Sequence, residues 1–230
     1  MPKQTATRQY SMADGVLKQL ADALKLSIIR DLADFASRNI TATQVTALQT
    51  LINNFDETTT DEELMGVVTD ATIIKDKIAE NIRIAVRPIR NMAETAYSTT
   101  GKYNTFGFDG LSQITDGDLY RLARRVVRVG TKLLAELAPQ GLTAAQLTNV
   151  NTLATSFDAA IDAIENAIED RDLETQDRIL KGNALWAEMS RLASIGRSLY
   201  EDTDEARYND YVLVGGGSTP PKPPAPPPAG

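Results

Sequence analysis

The sequence predicts an all-α protein: a tandem duplication of a three-helix antiparallel unit, followed by a Gly/Pro-rich tail. Three observations predict it. Apolar residues recur at three-and-four spacing through most of the 230 residues. No run alternates with period two for long enough to demand a sheet. The chain also matches itself at a shift of 102, gap-free from Asp14–Asp56 onto Asp116–Asp158. In the densest stretch, residues 40–56 against 142–158, eight of seventeen pairs are identical. Two copies are too few for a solenoid array, so the expectation is two like bundles or one six-helix body.

The first helix of copy one carries Leu17, Leu20, Leu24, Ile28, Leu32 and Phe35 on one face. Several of these positions recur in copy two, as do Asp14-Gly15 in Asp116-Gly117. The second helices begin at Thr41 and Thr143, whose hydroxyls are placed to cap free backbone N–H groups. Gln44 and Gln146, three residues on, complete a capping box, and Ile40/Val45 and Leu142/Leu147 form hydrophobic staples. The third helices align as Ile82, Val86, Ile89, Met92 and Ala96 with Leu185, Met189, Leu192, Ile195 and Leu199. Copy one offers breaks at Glu57–Asp61 or Thr69–Thr72 and copy two only at Asp170–Asp172, so the turn between second and third helices is expected near Thr69–Thr72 and Asp170–Asp172, with one continuous helix of about 55 residues, about 80 Å long, as the alternative. Pro88 predicts a kink, since it removes a hydrogen bond and crowds the preceding turn.

Each copy ends in a short aromatic segment, Tyr103-Asn104-Thr105-Phe106-Gly107-Phe108 and Tyr208-Asn209-Asp210-Tyr211-Val212-Leu213-Val214. These read as extended straps laid across the bundle. From Gly215 three glycines lead into seven of the chain's ten prolines, a polyproline II spacer or PxxP ligand on a flexible joint. The expected organisation is a flexible N-terminus (1–10), helical repeat 1 (11–108), helical repeat 2 (109–214) and a disordered tail (215–230).

Composition narrows the function. With no cysteine and no histidine, disulfides, thiolate nucleophiles, His general bases and the usual zinc and iron–sulfur ligand sets are excluded. A net charge of −7 argues against a general nucleic-acid binder. No phosphate-cradling glycine loop or EF-hand loop occurs, so no metal, cofactor or catalytic residue is assigned. No stretch is apolar enough to span a membrane and no secretory signal is visible, which makes the cytoplasm the default expectation.

The charged and aromatic residues that stand out are candidates for binding a partner. Arg83, Arg87 and Arg90 form a basic stripe, and Trp186, the sole tryptophan, adjoins the third-helix seam. Tyr103, Asn104, Tyr208, Asn209 and Tyr211 mark the straps. A second basic stripe, Arg121, Arg124, Arg125 and Arg128, is expected to pair between helices with the acidic stripe Asp158, Asp162, Glu165 and Glu169. The functional expectation is a non-enzymatic structural or protein-interaction bundle, acting on a protein partner or on copies of itself with the tail as spacer or tether. The alternative is a bundle that binds a small apolar ligand.

Overall fold

In the computed structural model, which describes residues 6–98, 100–111 and 114–213, about 81% of the described residues are helical and none lies in a strand. The order is α1 (Asp14–Arg30), α2 (Leu32–Phe35), α3 (Ala42–Asp56), α4 (Asp61–Tyr97), α5 (Gly101–Asn104), α6 (Asp116–Lys132), α7 (Leu134–Leu137), α8 (Ala144–Tyr200) and α9 (Glu205–Asp210). One-turn 3₁₀ segments, Ala36–Arg38 and Ala138–Gln140, follow α2 and α7. The Gly/Pro-rich tail lies outside the described residues.

The amphipathic spacing explains what each helix buries. α1 buries Leu17, Ala21, Leu24 and Ile28, and α3 buries Leu48, Ile52 and Phe55. α6 repeats the stripe with Leu119, Leu122, Ala123 and Val126. The 3₁₀ segments end in left-handed residues, Asn39 (φ 59°) and Gly141 (φ 97°). The N–H groups of Ile40 and Leu142 then reach back to the carbonyls of Phe35 and Leu137, both at 3.2 Å. This is the Schellman closure, which needs a residue tolerant of positive φ at its corner. Both expected capping boxes form. The amides of Thr41 and Thr143 each donate to the glutamine Oε1 three residues on, at 2.8 Å.

Four expectations fail. No turn occurs at Thr69–Thr72, because the Thr69 and Thr72 hydroxyls donate to the Met65 and Val68 carbonyls inside α4, both at 2.8 Å. Back-bonding of this kind lets threonine sit within a helix. The chain turns instead at Glu57–Thr60, where the Thr58 hydroxyl donates to the Phe55 carbonyl at 2.7 Å. Nor is there a turn at Asp170–Asp172: α8 runs unbroken for 57 residues. No proline or glycine interrupts it there, and its charges at 169, 170 and 172 are exposed, so nothing opposes the helix. The straps are not extended either. Their first residues, Tyr103-Asn104 and Tyr208-Asn209-Asp210, end the helices α5 and α9, the second started by Asp204, whose side chain accepts from the Arg207 amide. α4 continues through Pro88. Tyr10, assigned to a flexible N-terminus, is buried, and its hydroxyl donates to Asp14 at 2.9 Å.

Packing divides the chain into two compact units. Among the described residues, the first comprises 6–60 with 172–213 and the second lies within 61–171, so the repeat boundary at 108/109 falls inside the second. The first unit's core sets Leu17, Leu24, Ile28, Phe35, Leu48 and Phe55 against Leu185, Met189, Leu192, Tyr200 and Tyr211. In the second, Ile82, Val86 and Ile89 meet Leu119, Leu122, Val126, Leu147, Val150 and Phe157, with Phe106 and Phe108 closing the end. Residues 144–171 of α8 thus serve the second unit and residues 172–200 the first.

Candidate functional site

The densest polar cluster is in the first unit, where α1 passes into α2. Asp31 occupies the non-helical position between them (φ −100°, ψ 17°) and is 2% exposed. Its carboxylate accepts from Arg30 Nη2 at 2.7 Å and from the Tyr211 hydroxyl at 2.8 Å, with Arg207 3.5 Å away. The Arg30 contact holds the Asp31 carboxyl below the usual carboxylate range, against the opposing effect of burial. Burial, with the Asp31 hydrogen bond second, pushes the Tyr211 phenol far up, so it remains a donor. One turn on, Asp34 accepts from the Tyr200 hydroxyl at 2.7 Å and from Arg207 at 3.1 Å. Arg207 also lies over the Tyr200 ring, 5.4 Å from its centroid. Beside this cluster is an open depression of about 390 Å³ lined by Ala33, Asp34, Ser37, Leu199, Tyr200 and Thr203.

The second unit carries a matching arrangement. Glu136, at the position of Asp34 in the self-alignment, accepts from the Tyr97 hydroxyl at 3.0 Å and from Lys102. The Lys102 ammonium lies 5.4 Å from the Tyr97 ring centroid. Lys102 and then Tyr97 hold the Glu136 carboxyl below its ordinary value. A second recurring pair stands at the helix starts. Arg178 Nε lies 3.3 Å from Asp14 in the first unit, and Lys75 Nζ 2.6 Å from Asp116 in the second. Arg178 also donates to the Thr59 carbonyl at 2.9 Å. The chemistry of these groups is mutual: each acid already accepts from a phenol or a cation within its own unit.

The sequence-derived candidates are placed as follows. Arg83 donates to the Leu111 carbonyl and, with Arg87, faces Glu80, at 3.8 and 3.2 Å. The Arg90 Nε is buried. Trp186 is half-buried on the first unit's core. Tyr103 packs against Phe108 with ring centroids 5.7 Å apart, Tyr208 lies on the first unit's core, and Asn104 and Asn209 are exposed. Tyr211 is fully buried, which makes it a core residue and not a surface for a partner. Arg124 donates to Asn151, and the Arg125 guanidinium lies against Gly107. Among the described residues, no ion pair joins Arg121, Arg124, Arg125 or Arg128 to Asp158, Asp162 or Glu165. The pairing expected between those stripes, with Glu169 at the end of the acidic one, is carried by neither arginine contact.

Sequence reasoning missed Asp31, Asp34, Glu136 and Lys102. The signal was present for two of them: Asp34 and Glu136 are the acidic pair one residue before Phe35 and Leu137 at the same 102-residue shift. It also missed the exposed aliphatics. The first unit exposes Leu26 and Ile29 on α1 and Leu173 and Leu180 on α8; the second exposes Val67, Ile73, Ile74 and Ile84 on α4. Leu26/Ile29 are three apart and Val67/Ile74 and Leu173/Leu180 seven, so each pair shares a helix face. No group of acidic residues that could hold a metal ion occurs among the described residues. No described helix is long and apolar enough to cross a membrane. Comparison with known proteins finds no similar family model, no similar curated protein and no similar solved structure.

Proposed function

We propose that this chain is one helical module copied once, and that it works as a non-enzymatic structural or interaction protein. The duplication is supported by contacts that recur at equivalent positions: Tyr97–Glu136–Lys102 with Tyr200–Asp34–Arg207, and Lys75–Asp116 with Arg178–Asp14. These are cross-copy pairs in both units, which independent helices would have no reason to reproduce. Their polar groups are occupied in holding α5 and α9 and the third helices onto the hairpins, which is structural work.

The observation that carries the interaction reading is the set of exposed aliphatics sharing helix faces, Leu26/Ile29, Val67/Ile74 and Leu173/Leu180. Apolar side chains aligned this way on helices favour burial against another protein surface. The Gly/Pro-rich segment acts as spacer or tether for that contact. Light scattering over a range of concentrations tests self-contact, and the double substitution Val67→Glu/Ile74→Glu tests the face. Mass rising with concentration in the parent and not in the variant supports the reading. A parent that stays monomeric, and binds no protein that the variant fails to bind, overturns it.

A further inference from the structure

The first unit is assembled from two segments that the chain joins only through the whole of the second. Residues 6–56 meet 172–213 through a shared core and a set of specific polar pairs. Gln9 N–H donates to Asn183 at 2.8 Å, Arg178 lies 3.3 Å from Asp14, and Arg30 lies 2.8 Å from Asp210. Tyr211 donates to Asp31 and Tyr200 to Asp34. The covalent link from the first segment into α4 is the four-residue turn Glu57–Thr60.

The same joint exists twice in the sequence and takes two forms. The self-match ends at Phe55-Asp56 and Phe157-Asp158. After Asp56 the chain turns; after Asp158 the residues Ala159, Ala160, Ile161 and Asp162 continue α8 without a break. Composition accounts for the difference. Thr58, Thr59 and Thr60 are β-branched and oppose helix, whereas two alanines favour it. The bend is held locally by the Glu57 N–H on the Asn53 carbonyl and the Thr58 N–H and hydroxyl on the Phe55 carbonyl, while Thr59 is tied to the 172–213 segment, its hydroxyl to Glu174 and its carbonyl to Arg178. The straight form of this joint therefore occurs within the same chain, at 159–162.

We infer that residues 1–56 can be exchanged between two copies of this chain, the turn at 57–60 opening so that each hairpin of α1 and α3 docks on the 172–213 segment of the other copy. The inference rests on the duplication and interaction reading above, and it names the partner as a second copy. Every side-chain contact of the hairpin is identical in the exchanged and unexchanged forms, so their balance is set by the joint and by concentration. Short hinge segments invite exchange for this reason.

The test uses the full chain with Gln9→Cys and Asn183→Cys, residues whose backbone and side chain touch in the first unit and which are the chain's only cysteines once introduced. The protein is refolded from denaturant at low and high concentration, oxidised, and run on a denaturing gel without reductant. Exchange predicts a dimer, formed at high concentration, that remains covalently linked on the gel. The added triple substitution Thr58→Ala/Thr59→Ala/Thr60→Ala should raise the dimer–monomer equilibrium about tenfold per joint, because alanine favours the straight form. A dimer by light scattering whose cysteines pair within each chain overturns exchange and leaves surface association standing. A chain that stays monomeric at every concentration, with and without the triple substitution, overturns exchange and association with its own copies together.

Discussion

Two glycines in helices show how one substitution can have opposite signs. An alanine Cβ at Gly196 would lie 2.3–2.7 Å from ring atoms of Tyr211, which is fully buried. The ring cannot retreat without leaving Asp31, so Gly196→Ala should destabilise by about 1–3 kcal/mol. At Gly66 a Cβ meets nothing within 4 Å, and Gly66→Ala should stabilise by about 1 kcal/mol through helix propensity alone. Denaturant melts of the two variants against the parent check both signs. The same corner sets a pH dependence. The Asp31 carboxyl is held below its ordinary value, first by Arg30. Its stabilising contribution is therefore complete above about pH 4 and declines as pH falls through the lower folded value. Asp31→Asn should be less stable than the parent at neutral pH and lose less stability between pH 5 and 3, as read by urea melts across that range. Asp31 was not legible in the sequence, because its counterpart is Leu133 and only the fold brings Tyr211 to it.

At the scale of the element, the paired capping boxes were readable because they are local. Thr41 and Gln44, and Thr143 and Gln146, need only three residues of chain to find each other. Thr41→Ala and Thr143→Ala should each cost about 1 kcal/mol, measured by thermal or chemical melts. Turns were less readable. A threonine cluster at 69–72 and an acidic cluster at 170–172 look like breaks by composition. Yet back-bonding hydroxyls and exposed charges suit a helix whose other face is packed. The short helices α5 and α9 were read as straps for a similar reason. Four to six residues carry too little periodicity to reveal a helix, and their stability comes from Tyr103, Phe106 and Tyr211 against their cores.

For the whole molecule, the division of packing makes a prediction that the order of the repeats does not. The hairpin of α1 and α3 rests on residues after 172, so a chain ending at Arg171 removes its support. Amides within 14–56 should then lose protection from hydrogen exchange, while those of α4 and α6 keep theirs. Domains running 11–108 and 109–214 would instead keep protection across 14–56 and α4 and lose it in α6. The sequence by itself determined the helical class, the register of each buried stripe, the caps and the internal likeness of the two halves. Those follow from the 3.6-residue period and from groups a few residues apart. Only the tertiary structure decided that α1 and α3 pack on residues 172–200 of α8 and that α6 packs on α4. That choice is made by contacts such as Arg178–Asp14 and Lys75–Asp116. Since the two halves match in sequence at a shift of 102, nothing in the linear order distinguishes a helix packed on its own half from one packed on the other.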